Sequence, residues 1–96
     1  PLVRSHCQHA WHLYVVQSPV RDALMEHLLG RQIPVALHYP AAIHQQSGYA
    51  HIAARSPALP QTEAVVKRIL TLPLHPYLST EALDATCHAI RDFASS

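Results

Sequence analysis

Between residues 10 and 17 (AWHLYVVQ), Trp11, Leu13 and Val15 alternate with His12, Tyr14 and Val16. Alternation in a stretch rich in aromatic and β-branched residues predicts a strand. The period then lengthens. Val20, Leu24 and Leu28 fall on one face with Ala23 beside them, the spacing of a helix. Ser18 suits its N-cap and Pro19 its first position, and Gly30 is placed to end it in a left-handed C′ conformation. Residues 33–39 (IPVALHY) read as a second strand, with Pro34 marking an edge or a strand start. Residues 40–59 are irregular, broken by Pro40 and Pro57, mostly polar from His44 to Ile52, and compatible with short helical turns. Thr62 is a cap for a helix on which Val66, Ile69 and Leu70 share a face. Residues 72–74 form a short apolar run that reads as a third strand. Ser79 caps the last helix, with Glu81 favouring its N-terminal dipole and Leu83, Cys87, Ile90 and Ala94 on one stripe joined by Phe93. Residues 1–10 have no clear period and lead into the first strand.

The order strand, helix, strand, helix, strand, helix predicts an α/β chain. The expected fold is a two-layer α+β sandwich with a small sheet of about three strands and the helices on one face. Ninety-six residues are enough for one domain, spanning residues 1–96.

Composition changes this picture in one respect. Hydrophobic residues make up 49% of the chain, but charged residues only 14%, against a usual ~25%. That excludes a polar disordered chain. It also predicts that part of the surface is normally covered by something else. No apolar run approaches the ~18 residues of a membrane-crossing helix, and no stretch has the pattern of a signal peptide. A chain that starts at Pro1 reads as a fragment or a processed product. The net charge of +1 gives no basic footprint for nucleic acid. Nine histidines would load the surface with positive charge in acid. Cys7 and Cys87 make no disulfide framework and read as small buried hydrophobes in a reduced, cytoplasmic protein, with a single bridge as the alternative.

Candidate chemistry is sparse. Lys67, the single lysine, sits beside Arg68 on a solvated helix face. The acids Asp22, Glu26, Glu63, Glu81, Asp84 and Asp92 all fall on predicted helices and pair into no general acid and base. Two glycines cannot build a phosphate loop. His6, Cys7, His9 and His12 are zinc-ligand types, but their spacing is not a zinc spacing, and a strand would point His9 and His12 to opposite faces, so no metal site is assigned. The loop from His38 is different. It leaves the end of a predicted strand and concentrates His38, Tyr39, His44, Gln46 and Tyr49, whose imidazole, phenol and amide groups suit sugar hydroxyls and phosphate oxygens.

These same residues resemble the C-terminal small domain of the DegT/DnrJ/StrS family of pyridoxal-phosphate-dependent sugar aminotransferases, a fold-type I family. His9-Ala10-Trp11-His12-Leu13-Tyr14 is similar to the family's first small-domain strand. His38-Tyr39-Pro40, His44, Gln46 and Tyr49 resemble its H-Y-P-x-P-x-H-x-Q-x-x-Y loop. Leu59-Pro60 through Glu63 resembles F-P-x-x-E, and Leu72-Pro73-Leu74-His75-Pro76 resembles L-P-[LM]-x-P. One departure is Ala42, where the family often has a second proline.

The resemblance implies that the large domain carrying the cofactor lysine and phosphate cup lies outside these residues. No cofactor site is therefore expected here, and Lys67 does not match the family's lysine. It further implies that His38, Tyr39, His44, Gln46 and Tyr49 help bind a nucleotide-sugar, that the partner is the large domain, and that the whole enzyme is a homodimer. On this reading the chain is a transferase domain that is inactive alone. The alternative is a stand-alone α/β binding or oligomerisation module derived from the same domain.

Overall fold

The computed structural model describes residues 2–55 and 57–96. The readings for Pro1 and Ser56 lie outside the described residues. The ordered elements are strand β1 (Tyr14–Gln17), helix α1 (Arg21–Gly30), helical turn α2 (Ala50–Ala53), helix α3 (Pro60–Val66), strand β2 (Ile69–Leu72) and helix α4 (Thr80–Ser95). Two 3₁₀ turns, Ile43–Gln45 and Ser47–Tyr49, precede α2.

The sheet has two strands rather than about three. β1 and β2 pair antiparallel, with Tyr14 opposite Leu72 and Val16 opposite Leu70. The predicted strand at 33–39 contributes only an isolated bridge, Ala36 to Thr71, closed by two backbone hydrogen bonds of 3.1 and 2.8 Å. Pro34, lacking an N–H, cannot extend that ladder. The first strand is shorter than the alternation implied, starting at Tyr14 rather than Ala10. The third predicted strand is displaced. α3 ends at Val66, so Ile69 and Leu70 lie in β2 and not on a helix face, while Pro73 and Leu74 follow the strand. Pairing with β1 decides in favour of the strand, because it places Leu70 opposite Val16, both in the core.

Leu24 and Leu28 of α1, Leu70 of β2, Ala89 of α4 and Ile33 form the core, with Val16, Leu72, Ile90 and Phe93 packed against it. The two long helices pack against each other and share one core with the sheet. Leu28 and Leu70 are fully buried, and each such side chain contributes about 1.5–3 kcal/mol. Arg21, 9% exposed, ties the start of α1 to the carbonyls of Val66 and Ile69 at 3.4 and 3.2 Å.

Several local signals work differently from expectation. The Ser18 hydroxyl accepts the Val20 N–H at 3.2 Å, but α1 begins only at Arg21, so Pro19 lies in the preceding turn. Gly30 remains inside the helix. The left-handed residue is Gln32, with φ 60°. The Ile33 N–H donates to the Leu28 carbonyl at 3.0 Å and the Gln32 N–H to the Leu29 carbonyl at 2.9 Å, a Schellman ending sealed by contact of Ile33 with Leu28. Leu59 occupies the N-cap position of α3, with Pro60 first in the helix and Thr62 inside it. Ser79 does cap α4, accepting the Ala82 N–H at 3.2 Å. The buried line of α4 runs through Thr86 and Ala89, whereas Leu83 and Cys87 are exposed. Cys7 and Cys87 are both free and exposed, not buried hydrophobes.

The fold leaves much of itself uncovered. Its Cα radius of gyration is 16.1 Å, where a compact chain of this length has about 12–13 Å. The accessible surface is 7451 Å², against about 5,500 Å² for a compact protein of this mass.

Candidate functional site

The Ala36–Thr71 bridge fixes where the loop leaves the sheet. Leu37 packs against the core, and His38 follows with its Nδ1 2.9 Å from the Thr71 hydroxyl. Thr71 alternates with Leu70 and Leu72 along β2, so its side chain faces away from them. His38 therefore lies across the sheet from the main core. Its ring meets Tyr39 edge-on, with centroids 5.6 Å apart. Tyr39 itself is 68% exposed.

The next turn is held by the chain's departure from the family pattern. Ala42 has φ −66° and ψ 156°, the backbone geometry of proline. Its N–H, which a proline would lack, donates to Gln45 Oε1 at 3.2 Å, and the Gln45 N–H donates back to the Ala42 carbonyl at 2.9 Å. Ala42 is buried and anchors the turn, which carries His44 toward α3. There His44 Nε2 donates to Glu63 Oε1 at 3.0 Å. This hydrogen bond is the chief cause holding the Glu63 carboxyl below its ordinary 4.5. Desolvation opposes it, while a backbone hydrogen bond from Leu59, the charge of His44 when its ring is protonated and the charge of Lys67 act in the same direction as the bond.

The five predicted site residues thus fall into two groups. His38 and His44 are half-buried and held by Thr71 and Glu63, while Tyr39, Gln46 and Tyr49 are exposed on the turns between them. Glu63 and Thr71 were missed as supports of the site. The F-P-x-x-E likeness singled out Glu63, but nothing local signals a contact across 19 residues. Two cavities, of about 560 and 430 Å³, both lie against Leu72, Pro73, Leu74, Leu78 and Thr86; the first also reaches Ala36 and Thr71, but none of the five loop residues lines either. The loop is an open wall rather than a closed pocket. His9 takes no part in it. Its ring stacks on Trp11 at 4.2 Å and its Nδ1 accepts the Trp11 N–H. Among the described residues no helix is long and apolar enough to cross a membrane.

The arrangement has close counterparts. The chain is 33% identical over 93 residues to the dTDP-3-amino-3,4,6-trideoxy-alpha-D-glucose transaminase of Micromonospora megalomicea subsp. nigra, which covers 96% of this chain and 25% of that protein. It is 32% identical over 94 residues to the transaminase of the same name from Streptomyces venezuelae, with 98% and 25% covered. The crystal structure of a DegT DnrJ EryC1 StrS aminotransferase from Brucella abortus superposes with a TM-score of 0.85 at 34% identity, covering 97% of this chain and 25% of that one. The chain therefore spans about a quarter of the length of these relatives. Residues 2–91 match the family described as DegT/DnrJ/EryC1/StrS aminotransferase, and the chain belongs to that family.

Proposed function

We propose that this chain is the C-terminal small domain of a cytoplasmic sugar-nucleotide aminotransferase, and that residues 38–49 form one wall of its nucleotide-sugar site. The whole enzyme moves an amino group from an amino-acid donor to a keto-sugar nucleotide, with pyridoxal phosphate as the cofactor. The family match over residues 2–91, at a quarter of the relatives' length, carries this reading. The relatives named for dTDP-amino-sugars favour a dTDP-linked substrate.

The family depends on pyridoxal phosphate, but this chain's residues do not fit that group. Lys67 is exposed at the C-cap of α3 and lines neither cavity. The large domain supplies the cofactor site. The chain's own contribution is to bind and orient. Imidazole, phenol and amide groups on a turn anchored by Ala42 and Thr71 hydrogen-bond the sugar nucleotide as the large domain closes against them. The extended surface and low charge fit a face covered by that domain, and in the whole enzyme by a second copy. Two exposed thiols suit a reducing compartment.

The test is amino transfer to a dTDP-linked keto-sugar. The polypeptide completed by its large domain should catalyse it. The 96-residue chain should not, nor should it develop a stoichiometric visible band with pyridoxal phosphate that survives dialysis. Such a band in the isolated chain would overturn the reading.

A further inference from the structure

Two imidazoles in the loop are held by different chemistry. His38 Nδ1 meets the Thr71 hydroxyl at 2.9 Å. A hydroxyl donates or accepts, so this contact accommodates either tautomer. His44 Nε2 meets Glu63 Oε1 at 3.0 Å. An ionised carboxylate only accepts, so Nε2 must carry the hydrogen. In the neutral ring the lone pair then lies on Nδ1. The His44 side chain is 18% exposed, and no group among the described residues bonds Nδ1. Since no buried side-chain nitrogen or oxygen there lacks a partner, Nδ1 reaches the surface.

We propose that Glu63 is a positioning residue for sugar recognition: it holds His44 as the Nε2–H tautomer, so that Nδ1 accepts a hydrogen bond from a sugar hydroxyl. The inference rests on the reading of residues 38–49 as a wall of the nucleotide-sugar site, and deepens it. A lone pair aimed at a phosphate oxygen meets another lone pair, whereas a hydroxyl can donate to it. Phosphate oxygens are left to donors such as the Tyr39 hydroxyl. Glu63 touches no substrate and acts through the ring it holds, in the way carboxylates orient histidine ligands at metal sites.

The test has two parts. In histidine-¹⁵N-labelled chain, at a pH where the ring is neutral, long-range ¹H–¹⁵N spectra should show His44 as Nε2–H in the wild type and in Glu63→Gln, whose amide oxygen still accepts. Glu63→Ala should give a mixture of tautomers. An Nδ1–H form in the wild type overturns the proposal. In the polypeptide completed by its large domain, His44→Ala and Glu63→Ala should each raise KM for the nucleotide-sugar about three- to tenfold, as expected for one hydrogen bond. The kcat and the cofactor spectrum should not change, and Glu63→Gln should restore most of the loss. With dTDP and dTDP-glucose as competing inhibitors, His44→Ala should weaken only dTDP-glucose; equal weakening of both overturns the hydroxyl assignment. A raised KM in His44→Ala with none in Glu63→Ala overturns the positioning role alone. An unchanged KM in both overturns the reading of the loop itself.

Discussion

At the scale of single residues, the loop is organised by partners that lie far away in sequence. His44 and Glu63 are one unit, and the unit has a definite pH signature. Glu63 titrates lower in the folded chain than its ordinary 4.5, first because of the His44 hydrogen bond. A carboxyl depressed by folding stabilises the native state fully above its unfolded value, and that contribution is lost as pH falls through the folded value. Thermal melts of wild type and Glu63→Gln should therefore show the wild type more stable above the ordinary carboxyl range. The gap should shrink below about pH 4.5. A gap that widens in acid contradicts the assignment. The polar loop was legible as a cluster of hydrogen-bonding residue types. Its supports were not, because Thr71 and Glu63 reach it only through the β1–β2 pairing and the position of α3.

At the scale of elements, periodicity identifies the two long helices, although the caps expected for α1 and part of the stripe expected for α4 fall elsewhere. Ser79 caps α4 as its sequence implies, and Leu24 and Leu28 are buried. The short apolar runs are where periodicity fails. Val66, Ile69 and Leu70 satisfy a helical spacing, yet hydrogen bonding to β1 claims the last two. Residues 33–39 are rich in β-formers, yet make only one bridge. Both outcomes depend on a partner strand, which no local pattern reports. The end of α1 yields a direct prediction. Gln32 sits at φ 60°, a conformation that costs a residue with a side chain roughly 1–2 kcal/mol, partly offset in glycine by the entropy of its freer unfolded chain. Gln32→Gly should stabilise the chain by about 0.5–1 kcal/mol, read as a rise in Tm of a few degrees. Gly30→Ala, at a helical position with nothing within 4 Å of an added Cβ, should not lower Tm. A loss of stability in Gln32→Gly would contradict the Schellman ending.

At the scale of the whole molecule, the chain buries too little of itself. Trp11, Val20, Leu29, Tyr77 and Leu83 are all at least 46% exposed. The excess of surface over a compact protein, on the order of 2,000 Å², exceeds the roughly 600–1,500 Å² of a common inter-domain interface. Low charge in the sequence pointed to a covered face, and the spread of exposed apolar side chains fits it. On the proposed reading, the chain on its own should associate with itself through the surface a large domain would cover. Light scattering across a concentration series should show a mass that rises with concentration; a constant monomer mass would argue against an uncovered apolar face.

The same incompleteness bears on the loop. A single hydrogen bond contributes about 0.5–1.5 kcal/mol net, whereas association costs at least ~4 kcal/mol. Two or three bonds from His38, Tyr39, His44 and Gln46 cannot hold a nucleotide-sugar without a second wall. The most direct measurement is an NMR titration of the 96-residue chain with dTDP-glucose, following the amides of residues 38–49. The shifts should stay far from saturation at millimolar ligand, because on the proposed reading the opposing wall belongs to a large domain. Saturation in the micromolar range, centred on His38, Tyr39 and His44, would contradict this and make the chain a binding module in its own right.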